Sequence, residues 1–236
     1  MRNFLVSSVL SLFVFVNVQS QKSGVAQYRV IPKDVNAILD QNDGEANAII
    51  KQILNASKDF DFVLYFDAKE SLYYREEQLS TGNSTALSQK LAKALTDKGV
   101  HYQNKEQDVS IRTFFGLGKE YRIQDNLFLE FTITKERKKI REFECIKAIL
   151  NCFDCGGKPI VVWFAPNVPI PFGPEGYGGL PGLIVEVEKK MFSLQLSSLE
   201  FKTLPKNKIK TPNKGEVITK EAYRKLSKRM RKNSGF

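Results

Sequence analysis

The sequence is poor in the residues from which most enzymes build a site. Its 236 residues include a single histidine, His101, one tryptophan, three methionines and three cysteines. One histidine confines any Ser-His-Asp or Cys-His mechanism to that residue. His101 follows Gly99-Val100 at the end of a helical pattern, where a surface turn histidine is expected. The signatures Gly-x-Ser-x-Gly, His-Glu-x-x-His and Gly-x-x-x-x-Gly-Lys-Ser/Thr are all missing. No catalytic residue, metal or cofactor is therefore assigned, and a non-enzymatic protein is expected. Hydrolysis by carboxylates alone stays open, because 26 acidic residues cannot be paired without a fold. Beyond residue 20 no segment approaches the roughly 18 apolar residues of a membrane-spanning helix.

What is present begins with an export signal. Arg2 supplies a positive start, Phe4 to Val18 are almost all apolar, and Val18-Gln19-Ser20 puts small or short residues where signal peptidase cuts. The apolar core, about 15 residues, is short of the roughly 20 that a membrane anchor needs. Residues 1–20 are expected to be removed, with the mature chain starting at or near Gln21. No cysteine follows the apolar run where a lipoprotein would be acylated, so the soluble periplasm is the expected destination.

The formal charge of +10 is unevenly placed. From Lys202 to Phe236 there are twelve lysines and arginines against two glutamates, whereas residues 21–201 carry 23 basic against 24 acidic residues. The basicity belongs to the tail, residues 202–236. It opens as a Pro-, Asn- and Lys-rich linker, and Thr219 then caps an expected helix over 220–232, with Tyr223, Leu226 and Met230 on one side. Either those three residues rest on the body with the lysines solvated, or the helix touches anionic lipid or an acidic partner. Nucleic acid is not an expected partner, since aromatic and basic residues do not interleave as in the RNA- and DNA-binding modules.

Residues 21–201 read as one β-rich domain. Two helices are expected: Ala46, Ile49, Ile50, Ile53 and Leu54 stripe one behind Asn42-Asp43-Gly44. Leu87, Leu91, Ala94 and Leu95 stripe the other, between a Ser84 cap and a Gly99 terminator. Elsewhere the period is two. Phe62, Leu64 and Phe66 form one strand; Leu129, Phe131 and Ile133 form the cleanest other. Leu183, Val185 and Val187 pair as a hairpin with Phe192, Leu194 and Leu196. Weaker strands are expected near residues 28–31, 72–75, 111–115, 121–124, 142–150 and 160–164. Strand following strand excludes parallel βαβ alternation. The expected fold is mainly β (α+β): an antiparallel curved sheet or partial barrel with two internal helices and a C-terminal helix.

The most unusual stretch runs from Trp163 to Gly179. Pro166, Pro169, Pro171 and Pro174, with Gly173, Gly176, Gly178 and Gly179, forbid regular ladder pairing. Val168, Ile170, Phe172 and Tyr177 are too apolar for a plain linker, so an ordered loop packed on the sheet is expected, either as a corner between strands or as a ligand or docking lip. The loop runs into Gly179-Leu180-Pro181-Gly182-Leu183-Ile184. Here the chain resembles the GLPGLI family of exported Gram-negative bacterial proteins, named for that hexapeptide. Phe143-Glu144-Cys145-Ile146-Lys147-Ala148, Val162-Trp163-Phe164, Val168-Pro169-Ile170 and Gly173-Pro174 extend the resemblance across about 132–201. It implies a β-rich periplasmic protein of unestablished activity, from a family often encoded beside TonB-dependent transporters, and carries over no catalytic residue.

Cys152 and Cys155 depart from that pattern, occupying an expected turn. With Cys145 they suggest one disulfide and one free thiol, either Cys152–Cys155 or its rival Cys145–Cys152. A redox Cys-x-x-Cys would need a helix start. Zinc would need Asp154 or His101 as a fourth ligand, and the second Cys-x-x-Cys is missing. Three functions follow as expectations: an envelope binding or accessory factor taking an apolar ligand in a concavity, a carboxylate-dependent hydrolase using that concavity, or a structural partner of an outer-membrane transporter.

Overall fold

The computed structural model describes residues 23–34, 36, 44–77, 84–127, 129–150 and 159–233. The export segment, Cys152 and Cys155 lie outside the described residues. The elements, in chain order, are β1 (Gly24–Pro32), α1 (Gly44–Ser57), β2 (Asp61–Phe66), β3 (Glu70–Arg75), α2 (Ala86–Thr96), β4 (Val100–Asn104), β5 (Val109–Gly116) and β6 (Lys119–Asp125). They continue with β7 (Phe131–Ile140), β8 (Phe143–Leu150), β9 (Ile160–Ala165), β10 (Leu183–Glu188), β11 (Phe192–Phe201), β12 (Glu216–Val217) and α3 (Lys220–Asn233). All the strands join one sheet in the order β12-β6-β5-β4-β3-β2-β1-β11-β10-β9-β8-β7. Every pairing is antiparallel except β12 with β6. The mainly-β fold expected from the sequence is therefore the one adopted, as an open sheet with β12 and β7 at its edges.

Connectivity dictates the curvature. Ten strand spacings separate β6 from β7, which laid flat would be roughly 48 Å from spacings of ~4.8 Å. Only residues 126–130 join the two, and at full stretch they reach about 20 Å. The sheet must curl into a bowl. Leu127 anchors the short link: its side chain is buried and its N–H donates to Asp108 Oδ1 at 3.0 Å.

Cross-strand partners point to the same face, so the register identifies the lining of the bowl. On one side Val30, Leu194, Val187, Val162 and Ala148 form a buried aliphatic row. On the other, Ala26, Leu64, Tyr73, His101, Arg112 and Ile123 lie in line across β1 to β6. That second row turns from apolar to polar as it passes from β2 to β5.

The loop between β9 and β10 fills the apolar part of the bowl. Val168, Ile170, Phe172 and Leu180 are buried in the core, and a 3-10 turn at Pro174–Gly176 lies against β3 and β4. Tyr28 OH donates to Ile184 O at 2.7 Å, and Gln103 Nε2 donates to Gly176 O at 2.8 Å. These bonds satisfy backbone that the prolines and glycines leave without ladder partners.

Several expectations need correcting. The alternation at Leu129, Phe131 and Ile133 belongs to an edge strand starting at Phe131, where Ile133 is 49% exposed. In α2 the N-cap is Thr85, whose Oγ1 accepts the Ser88 N–H at 3.2 Å, and Ser84 lies one residue before it. Its buried residues are the small Ser88, Ala92 and Thr96, while Leu87 is 66% exposed. Gly99 does not end this helix, whose C-cap is Asp97; its φ of 93° turns the chain into β4. Thr219 does cap α3, accepting the Ala222 N–H at 3.1 Å. Tyr223 packs edge-on against Phe114 and Tyr121 with ring centres 4.8 and 5.1 Å apart. The terminal helix thus rests on the body, although Met230 is exposed.

Candidate functional site

Val100 to Asn104 has no apolar alternation, yet it forms a strand inside the sheet. Its inward residues, His101 and Gln103, lie against the 3-10 turn, and Gln103 donates to its backbone where an apolar side chain would be expected. His101 is therefore buried, not a surface turn histidine. Its ring lies 6.0 Å from that of Tyr73, and the turn presses so close that a Cβ on Gly176 would stand 2.8 Å from His101 Nδ1. Gly176 has φ 76° and no side chain, which is what allows this approach.

The same turn places Glu175. Its φ of 54° lies in the left-handed region, a conformation that costs a non-glycine residue on the order of 1 kcal/mol or more. Its side chain is only 5% exposed. Lys189, from the turn between β10 and β11, reaches Glu175 Oε2 at 2.5 Å and Tyr177 OH at 3.2 Å. Burial pushes the Lys189 ammonium down, but Glu175 and Tyr177 outweigh it and hold it above the ordinary lysine value. Burial raises Tyr177. Burial, then the charges of Arg112 and Lys189, hold His101 well below the ordinary 6.5, so its imidazole is neutral at pH 7.

These residues wall a cleft of about 500 Å³ between β4–β6, the 3-10 turn, β8–β9 and the start of α3. Its lining combines ionic residues, Lys98, Arg112, Glu175 and Lys189, with aliphatic ones: Ile123, the cross-strand neighbour of Arg112, and Leu129, Leu150 and Ile160. Two of the lining residues each carry a buried atom, His101 Nε2 and Glu175 Oε1, with no hydrogen-bond partner among the described residues. Buried polar atoms are rarely left this way, since each costs about 1–3 kcal/mol. The arrangement can hold a small polar molecule. Among the described residues no group of three or more His, Cys, Asp and Glu side chains could hold a metal ion.

The residues of the family-like motif divide between packing and surface. Gly173, Pro174, Leu180, Gly182, Leu183 and Ile184 are buried, while Pro169, Gly179 and Pro181 are exposed. Trp163 faces away from the cleft: its Nε1–H donates to Glu188 Oε1 at 2.7 Å, and Lys138 Nζ lies 4.1 Å from its ring centre. Lys138 also binds Glu186 Oε2 at 2.5 Å, so this outer cluster is internally paired. Cys145 is a buried free thiol whose pKa burial pushes up to about 11. Sequence reasoning passed over Lys98, Arg112, Glu175, Tyr177 and Lys189. One signal was available, for Glu175 is the only charged residue between Trp163 and Gly182.

A family model described as a protein of unknown function (Porph_ging) matches residues 156–186, a segment that spans β9, the loop and the start of β10. It contains the hexapeptide Gly179 to Ile184. No match was found among curated proteins. Two solved structures of PNGF-II, in C2 and P21 crystal forms, are similar to this chain, both with a TM-score of 0.52. Identity is 14% over 86% of this chain and 32% of the first, and 15% over 87% of this chain and 33% of the second. The chain thus spans about a third of the length of the structures it resembles, and at this identity the likeness concerns the β-rich fold alone.

Proposed function

We propose that this protein is a non-enzymatic binding or accessory factor of the cell envelope, periplasmic once residues 1–20 are removed, and that its ligand site is the cleft on the polar side of the bowl. The observation that supports this reading is that two residues lining a cleft of about 500 Å³ each carry a buried, unpartnered polar atom, His101 Nε2 and Glu175 Oε1. That volume lies within the roughly 300–1,000 Å³ of small-molecule sites, and an aliphatic wall with a few convergent polar groups is their usual make-up. The deep apolar part of the bowl is occupied by the chain's own loop, so the ligand meets charged groups as well as aliphatic ones.

Native mass spectrometry of the mature protein, purified gently from its own cells, tests the reading. A small-molecule adduct is expected in the wild type and not in Arg112→Ala. A wild type without adduct, recovered with an outer-membrane transporter, would transfer the function to the partner reading. Glu175 and Asp125 both line the cleft, which favours carboxylate-dependent hydrolysis as the second reading. In that case the adduct would be a cleaved product, and Glu175→Gln would retain the intact substrate.

A further inference from the structure

The cleft presents three chemistries side by side. Its charge is in cationic excess: Lys98, Arg112, Lys189 and Lys220 against Glu175 and Asp125. Arg112 is held in place, with Nε donating to Lys98 O at 2.7 Å and the guanidinium carbon 4.2 Å from the Phe114 ring centre. Its terminal nitrogens have no hydrogen-bond partner among the described residues, which leaves the planar fork that matches a carboxylate. Close by, Glu175 Oε1 is a buried acceptor without a donor, its other oxygen already bound by Lys189. Ile123, beside Arg112 in the β5–β6 register, completes the lining with Leu129, Leu150 and Ile160.

A ligand answering only one of these leaves the others unsatisfied. A plain hydrocarbon would desolvate the cations, and a simple anion would leave both the Glu175 oxygen and the aliphatic wall unused. We propose that the cleft binds a small carboxylic acid that carries an amino or hydroxyl donor on its α-carbon and an apolar side chain. The carboxylate meets Arg112 and Lys98, the α-donor meets Glu175 Oε1, and the side chain lies on the aliphatic wall. This inference rests on the cleft being the ligand site.

Four probes on one carbon skeleton separate the three contacts: L-leucine, 2-hydroxy-4-methylpentanoate, 4-methylpentanoate and leucinol, each titrated calorimetrically into the mature chain. L-leucine or the hydroxy acid is expected to bind with a Kd below about 1 mM, and whichever binds identifies the donor. Removing the donor, as in 4-methylpentanoate, should weaken binding about tenfold or more, and removing the carboxylate, as in leucinol, should abolish it. Glu175→Gln should bring the donor-bearing acid down to the level of 4-methylpentanoate. Arg112→Met leaves the Glu175–Lys189 pair intact, so its loss of all acid binding, with an unchanged circular dichroism spectrum, tests the carboxylate contact separately. Equal binding of all four probes, or of none to folded wild type, overturns the inference. If none binds while native mass spectrometry still shows an adduct that Arg112→Ala removes, the cleft remains the ligand site and only the ligand class falls.

Discussion

His101 is the residue whose setting most changes its chemistry. In a surface turn it would titrate near 6.5; inside the bowl, burial and the charges of Arg112 and Lys189 disfavour its protonated form. The consequence for stability has a definite sign. Above pH 6.5 the imidazole is neutral in both folded and unfolded chains, and its contribution is fully present. Below 6.5 the unfolded chain takes up a proton that the folded one resists, so stability falls as pH falls, by up to about 1.4 kcal/mol per pH unit until the folded pKa is reached. Urea midpoints at pH 7.5 and 5.5 measure this. The wild type should lose about 1 kcal/mol more than His101→Phe, which keeps a ring against Tyr73 and has nothing to protonate. Equal losses in the two proteins would assign the acid sensitivity to other groups.

At the scale of elements, the loop between β9 and β10 is the piece that makes this sheet a particular molecule. Its hexapeptide is a packing device at one glycine more than at its proline. A Cβ on Gly182 would enter the contact distance of the Ala165 carbonyl, where the chain leaves β9, whereas Pro181 is exposed. Gly182→Ala should therefore destabilise the fold by about 1–3 kcal/mol, as overpacked positions do, while Pro181→Ala should stay within roughly 0.5 kcal/mol, as surface changes do. Thermal melts of both variants check this. A Pro181→Ala loss as large as that of Gly182→Ala would mean that the proline, not the close approach, fixes the turn. The same scale shows what the sequence could reveal. Strands β2, β10 and β11 and the Thr219 cap were legible because local pattern and tertiary role agree there. The buried face of α2 was not, since the stripe of Leu87 and Leu91 outweighs Ser88, Ala92 and Thr96 in any count of apolar residues, yet the small residues are the buried ones. The cleft was least legible of all: His101, Arg112, Glu175 and Lys189 come from four separate segments, and only the register of β4 on β5 and the docking of the 3-10 turn bring them together.

For the whole molecule, the governing fact is that the first described strand lies near the middle of the sheet. β1 is flanked by β2 on one side and β11 on the other, with Val30 opposite Leu194 and Ala26 opposite both Leu64 and Leu199. The sheet therefore has two halves, β1–β6 and β7–β10, joined through β11 between β1 and β10. Closing so long a loop before its contacts form is entropically expensive, so folding should be slow for the protein's size. A chain ending at residue 190 leaves β1 and β10 as unprotected edges and should give no cooperative urea transition. A chain ending at residue 218 keeps every strand and loses α3, exposing Phe114 and Tyr121; it should still unfold cooperatively, weaker by about 2 kcal/mol for the lost Tyr223 contact. Cooperative unfolding of the shorter chain would show that the half-sheets are stable separately. The cleft lies between those halves, with Arg112 on β5 and Leu150 and Ile160 on β8 and β9, so a ligand that fills it should slow unfolding of the full chain by holding together the two halves that β11 joins.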